Sequence, residues 1–185
     1  MKSGTGVFRS VLASLLSLTL GGLVAVGATA GVAFATMRRL DPSLPGFQAV
    51  GDHWSIAAGH VFQPIFVGAT LAAAVLTIVA GLLAFPAVRG MRPVFRKNIV
   101  GWLFLLAVVS VASASIAGRM SGDWRAFVDA AKSGDAATAQ THRTTFERMH
   151  PIASSVLKGQ TLGTAAVLVL VIAGCRRKAQ VGAGS

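Results

Sequence analysis

The sequence predicts an all-α, polytopic membrane protein: a bundle of four transmembrane helices with a partly helical outer segment between the third and fourth. Three observations point there. Of the 185 residues, 54% are hydrophobic and only 12% are charged, too few charges to cover a water-exposed surface of this size. The apolar residues fall in four long blocks rather than short alternating runs, and the mean hydropathy is +0.68, which is the pattern of membrane spans. The bases gather at the ends of those blocks, where they meet anionic headgroups. The formal net charge of +11 therefore belongs to a membrane surface. Without zinc-ligand spacing or an RNA-binding aromatic motif, nucleic acid is not an expected partner.

The expected spans are residues 11–37, 61–88, 98–118 and 151–175, within one integral membrane domain, 1–185. The first is uncharged, and its apolar length exceeds the roughly 7–15 residues of a signal-peptide core, so it reads as a retained span. The second begins near Pro64, in a first turn where a missing N–H does no harm. The third is uninterrupted. The fourth must include the segment 151–160, because the apolar run 161–175 alone is too short for a hydrocarbon core of about 30 Å. Lys158 then either snorkels outward or pairs inside the bundle.

Loop charges set the expected orientation. Arg89, Arg92, Arg96 and Lys97 lie between spans two and three with no acid, and Arg176, Arg177 and Lys178 follow span four. The other two loops balance or nearly balance their charges. The positive-inside rule places the 89–97 loop and both termini in the cytoplasm, in agreement with Lys2 and Arg9. All four histidines then fall on the outer side. The single cysteine, Cys175, excludes an intrachain disulfide; it reads as a lipid-facing thiol, with palmitoylation as the alternative.

Small residues mark the packing faces. Gly27 and Gly31 form a G-x-x-x-G pair in span one, and Ser110, Ala112, Ser113, Ala114 and Ser115 crowd span three, so close helix approach is expected at both. For the glycine pair this is expected first within the bundle and alternatively against another copy of the protein. In the outer segment 119–150, Trp124, Phe127, Val128 and Ala131 recur at helical spacing as one apolar face. This helix should lie on the membrane surface or lid the bundle. Ser133-Gly134-Asp135 breaks it, and a second helix from about Ala136 runs into span four. Arg143, Phe146, Glu147 and His150 share one side of that helix, with Glu147 placed to hold Arg143 at i,i+4.

Few residues carry chemistry. His60 and His150 sit at the outer mouths of spans two and four, and facing imidazoles at one depth can hold haem iron, copper or zinc. Met120 and Met149 are near enough in sequence to join a copper site. Against this, no two histidines stand at i,i+4, and neither H-E-x-x-H nor C-x-x-C occurs. Interfacial placement thus comes first for the histidines, and a metal or proton site second. Lys158, Glu147, Arg143 and Gln63 are the remaining polar candidates, with Thr70 and Thr77 adding polarity to span two. The spans hold no carboxylate, which argues against a proton- or cation-coupled transporter. Phosphate loops, dinucleotide fingerprints and nucleophile triads are absent too.

The run Phe146-Glu-Arg-Met-His-Pro-Ile-Ala-Ser-Ser-Val-Leu-Lys158 resembles the opening of the last span in small four-helix membrane proteins of the transmembrane protein 205-like family, also called domain of unknown function 4149. Phe146 and His150 match, Met149 replaces a leucine, Ser154 and Ser155 supply the hydroxyls, and Lys158 stands where an asparagine is expected. Gly21-Gly22, a proline-containing outer loop and Gly59-His-Val-Phe62 are similar as well, so the likeness extends over about residues 15–175. It implies the same four-span fold and a bacterial inner-membrane location, and it implies no defined chemistry.

The expected function is that of an accessory or small-ligand-binding membrane bundle without catalytic machinery. No cofactor is the first expectation, with haem or copper/zinc at His60 and His150 as the alternative. A structural subunit of a larger membrane complex is the third reading. The lipid bilayer is the expected partner, with homo-oligomers or a larger complex open.

Overall fold

The computed structural model describes residues 4–47, 50–51, 53–89 and 91–183, with side chains from Thr5 to Gly174. Lys2, Asp52, the Cys175 thiol and the Arg176–Lys178 side chains lie outside the described residues. The chain folds into four helices in sequence order: α1 (Gly4–Leu40), α2 (His53–Ala87), α3 (Pro93–Ser133) and α4 (Ala136–Ala183). Among the described residues there is no strand. Each helix packs on its sequence neighbours and α1 also meets α4, which closes an up-and-down ring. All four are long and apolar enough to cross a membrane.

The inward faces follow a seven-residue repeat. Leu12, Leu16, Thr19, Leu23 and Val26 are buried on α1, and Phe66, Thr70, Ala73, Thr77, Ala80, Ala84 and Ala87 on α2. Ile99, Leu103, Leu106, Ser110, Ser113, Ala117 and Met120 do the same on α3. Steps alternating between three and four residues are those of a left-handed bundle with small crossing angles. On α2 the small and hydroxylated side chains face inward, while Leu82 and Phe85 are 69% and 63% exposed. Phe104 and Val169 are likewise exposed. In water such a surface would drive aggregation. In lipid it is the normal arrangement, because tails solvate large apolar groups and close backbone packing holds the helices together.

The helices are longer than the spans expected from hydropathy. Span three and the amphipathic outer helix are one continuous helix, so the outer segment neither lies flat nor lids the bundle; it extends the bundle upward as a hairpin of α3 and α4. Phe127, Val128 and Ala131 pack inward as their spacing predicts, against Ile56, Phe47 and Ala139. The expected break is present. Gly134 adopts φ 80° as the left-handed C-cap of α3, its N–H reaching back to the carbonyls of Ala130 and Ala131, a conformation that glycine reaches without a steric penalty. Asp135 then caps α4, its Oδ1 accepting from Thr138 N at 3.0 Å.

Pro64 sits differently from expectation: because α2 starts at His53, it lies inside the helix rather than in a first turn. Pro151 lies inside α4, as a helix running from about Ala136 into span four implies. Each leaves a carbonyl one turn earlier, on His60 and Glu147, without its helical donor. Membrane helices tolerate this where neighbouring groups re-satisfy the backbone.

At one end of the ring lie the 41–52 connection, the Gly134–Asp135 turn and the four histidines; we call it the histidine end. At the other lie the start of α1, the end of α4 and the connection from α2 to α3, the arginine end. His53 organises the first of these connections: Leu44 N donates to its Nδ1 at 3.1 Å, and its Nε2 meets Phe47 O at 3.0 Å. With one nitrogen accepting, the other must carry the proton, which fixes the Nε2–H tautomer. At the arginine end, Arg9 Nε donates to Ala87 O at 2.8 Å and Nη2 to Arg89 O at 3.2 Å, satisfying carbonyls where α2 terminates.

Candidate functional site

The seam between α1 and α4 opens toward the histidine end. There a cavity of about 840 Å³ runs into the bundle, walled by all four helices. A volume of this order, between helices of a bundle, is within the usual range for small-molecule sites. The opening starts with α1. Gly27, Ala30 and Gly31 line the cavity, and a Cβ added to either glycine would meet nothing within 4 Å. The expectation that this G-x-x-x-G pair packs tightly within the bundle is therefore corrected: it makes room instead of contact.

Phe and Trp rings from all four helices contribute to the wall. Phe34 of α1 meets Trp54 and Phe62 of α2 edge-on, at centroid distances of 6.5 and 5.9 Å. Phe62 stacks on Phe66 at 5.7 Å. Across the cavity, Trp124 of α3 tilts against Phe127 and against Phe146 of α4, at 5.3 and 5.4 Å. Phe146 continues to the His150 ring at 6.2 Å. Near the mouth, the Arg38 guanidinium sits 6.0 Å from the Trp54 centroid, within cation–π range.

The polar groups are few and grouped on one side. Arg143, Glu147, His150 and Lys158 all line the cavity from α4, so the shared helix face read from the sequence is present. Arg143 Nε donates to Glu147 Oε1 at 2.8 Å, an i,i+4 pair. Lys158 and His150 are both exposed. From α2 comes Gln63, only 6% exposed, which also lines the cavity, and its Oε1 has no hydrogen-bond partner among the described residues. A buried carboxamide oxygen left unpaired is costly, so a ligand or water that satisfies it gains that difference.

The remaining histidines go elsewhere. His60 is exposed, does not line the cavity, and has its Nδ1 3.3 Å from Ile56 O of its own helix. His60 and His150 therefore do not share the cavity. His142 approaches Asp123 at 3.6 Å and ties α4 to α3. Met120 is buried in the cavity wall, whereas Met149 packs beside it without lining the space. Among the described residues there is no group of three or more His, Cys, Asp or Glu side chains able to hold a metal ion.

Deeper, a second polar element crosses the bundle. Gln160 Nε2 donates to Ser110 Oγ at 2.7 Å, Ser110 Oγ lies 3.4 Å from Thr77 Oγ1, and Thr77 donates to Ala73 O at 2.7 Å. Gln160 is wholly buried, and its Oε1 is unpartnered among the described residues. The signal for this chain lay in the heptad register, where Thr70, Thr77, Ser110, Gln160 and Thr164 occupy inward positions.

Comparison with known proteins gives no match: no family model, curated protein or solved structure corresponds to the chain. What stands is a four-helix bundle with four membrane-spanning candidates among the described residues and a large cavity between its helices.

Proposed function

We propose that this protein is a ligand-binding membrane bundle that takes a hydrophobic small molecule from the bilayer into the cleft between α1 and α4. One observation carries the reading: a cavity of about 840 Å³ whose wall is aromatic and glycine-rich is also lined by Gln63, a buried carboxamide whose Oε1 has no partner among the described residues. An apolar wall with a few placed polar groups is the usual composition of a small-molecule site. The clustering of unbalanced bases near the arginine end supports placing that end and both termini in the cytoplasm, with the cavity opening outward. The likeness of residues 146–158 and of the early helices to the transmembrane protein 205-like family supports a bacterial inner-membrane location. A haem or metal role for His60 and His150 draws less support, since only His150 faces the cavity.

The test is saturable binding of an apolar environment-sensitive fluorophore to the purified protein in mild detergent, with organic extraction and mass spectrometry of what co-purifies. A Gly27→Leu/Gly31→Leu variant fills space that is open in the wild type, so its fold and thermal stability should be kept while binding is lost at least tenfold. Fluorophore binding that does not saturate, or that is unchanged in a folded variant, would overturn the reading.

A further inference from the structure

The cavity is asymmetric in charge, and that asymmetry says what kind of molecule it fits. The spans expected from hydropathy contain no Asp or Glu, yet Lys158 lies within the fourth, in its 151–160 segment, and lines the cavity. It makes no hydrogen bond or ion pair among the described residues. The acid that lines the cavity, Glu147, already receives the Arg143 guanidinium. An ammonium within a span normally pairs or snorkels to water, because leaving it unpaired in hydrocarbon costs several kcal/mol. Side chains on a helix lean toward its N-terminus, which for α4 is the histidine end. The Lys158 ammonium is thereby carried up the cavity toward Ser154 and His150.

Below that level the lining is apolar apart from Thr161, whose hydroxyl donates to Leu157 O of its own helix. From His150 to Leu162, at the floor of the lining, α4 rises about 18 Å at 1.5 Å per residue. That is roughly one leaflet of a hydrocarbon core of about 30 Å. Facing it on α1 are Leu23, Val24 and Gly27. The polar level thus sits above a chain-length apolar groove, the same order of head and tail that a leaflet imposes on its own lipids.

Resting on the ligand-binding reading above, we infer that the ligand is an amphiphile with an anionic head, a carboxylate or a phosphate, and an alkyl tail. Lys158 supplies the counter-charge, and Gln63 hydrogen-bonds the head. The Gln63 carboxamide offers a donor or an acceptor by a half-turn about its terminal bond, so it serves either an ester linkage or a hydroxyl. The tail descends between α1 and α4 beside Gly27, where no side chain competes for the space.

The experiment measures binding of four amphiphiles with the same sixteen-carbon chain to the full protein in neutral detergent, by native mass spectrometry and tryptophan fluorescence. They are palmitate, the lysophosphatidate, the lysophosphatidylcholine and the neutral alcohol. The expected result is at least tenfold tighter binding of palmitate or lysophosphatidate than of the alcohol. Which of the two anions binds more tightly tells a fatty acid from a phosphate lipid. Lys158→Gln should remove that preference, bringing the anions to the level of the alcohol in the same variant, and Lys158→Arg should keep it. Equal binding of anionic and neutral chains, or a preference that survives in Lys158→Gln, would overturn the anionic-head inference while leaving the cavity reading intact. No binding of any of the four, together with no fluorophore binding, would overturn both.

Discussion

The indole of Trp124 lies against the backbone of Gly59, occupying the place where any other residue would carry its Cβ. This contact locks α3 to α2 at the level of the cavity and fixes one wall of it. Trp124 also touches Phe127 and Phe146, so its position is passed on to α4. The cavity therefore owes its shape to two opposite uses of glycine. Gly59 admits a ring, while Gly27 and Gly31 admit nothing from the protein itself.

Gly59→Ala should accordingly be disruptive although it adds a single methyl group. The ring carbons of Trp124 must move, and forcing extra volume into a packed site costs about 1–3 kcal/mol. The expected outcome is a loss of that size in unfolding by denaturing detergent, with altered tryptophan emission. Replacing the ring as well, in Gly59→Ala/Trp124→Leu, should recover part of the loss. Equal stability of Gly59→Ala and wild type would show that Trp124 can relax without consequence.

The Gln160–Ser110–Thr77 chain separates polar from packing contributions. Interhelical hydrogen bonds in membrane proteins average about 0.6 kcal/mol, and Gln160→Leu also removes an unpaired buried oxygen. That variant should therefore lie within about 1 kcal/mol of wild type. Gln160→Ala leaves a void in a fully buried site and should cost about 2–5 kcal/mol, as other long-to-alanine truncations do. A large loss in Gln160→Leu would mean that the hydrogen bonds, rather than the volume, hold this layer.

The four-helix membrane fold was legible because long apolar blocks and asymmetric loop bases are physical requirements of the bilayer, visible without tertiary information. The shared face of Arg143, Phe146, Glu147 and His150 was legible for the same reason, since helix periodicity alone brings them to one side. The cavity was not. Gly27 and Gly31 carry the same spacing whether a helix packs on them or leaves them open, and only the position of α4 decides between the two. The inward phase of Gln63 was legible, since it recurs at heptad spacing with Thr70 and Thr77 on one buried face of α2, but the cavity beside it was not. Pro64 misled, because a span start drawn from hydropathy put it in the first turn of a helix that begins about three turns earlier.

Arg9 closes the arginine end by donating to Ala87 O and Arg89 O, two carbonyls where α2 terminates. A cation at a helix C-terminus contributes about 0.3–1 kcal/mol, and more when partly buried; Arg9 is partly buried. Arg9→Gln should lower stability by about 1 kcal/mol. Arg9→Lys should recover little, since a single ammonium lacks the planar fork that reaches two acceptors at once. Full recovery by lysine in the same detergent-unfolding assay would reduce the interaction to charge alone.

Asp135 gives the bundle an acid-sensitive joint outside the spans. Its carboxylate pKa is lowered from 3.8, first by the side-chain hydrogen bond with Thr138 and then by the Thr138 backbone N–H, with burial opposing weakly. A group whose folded pKa is depressed stabilises fully above its unfolded value and loses that contribution as pH falls through the folded one. Wild type should therefore exceed Asp135→Ala in stability near neutral pH, and the gap should narrow progressively below about pH 4. The site is solvent-exposed, so salt should weaken the charge component and leave the capping hydrogen bond. Thermal unfolding of both proteins across pH 3–7 checks this. A gap independent of pH would assign the contribution to the capping hydrogen bond alone, with the Asp135 charge contributing nothing.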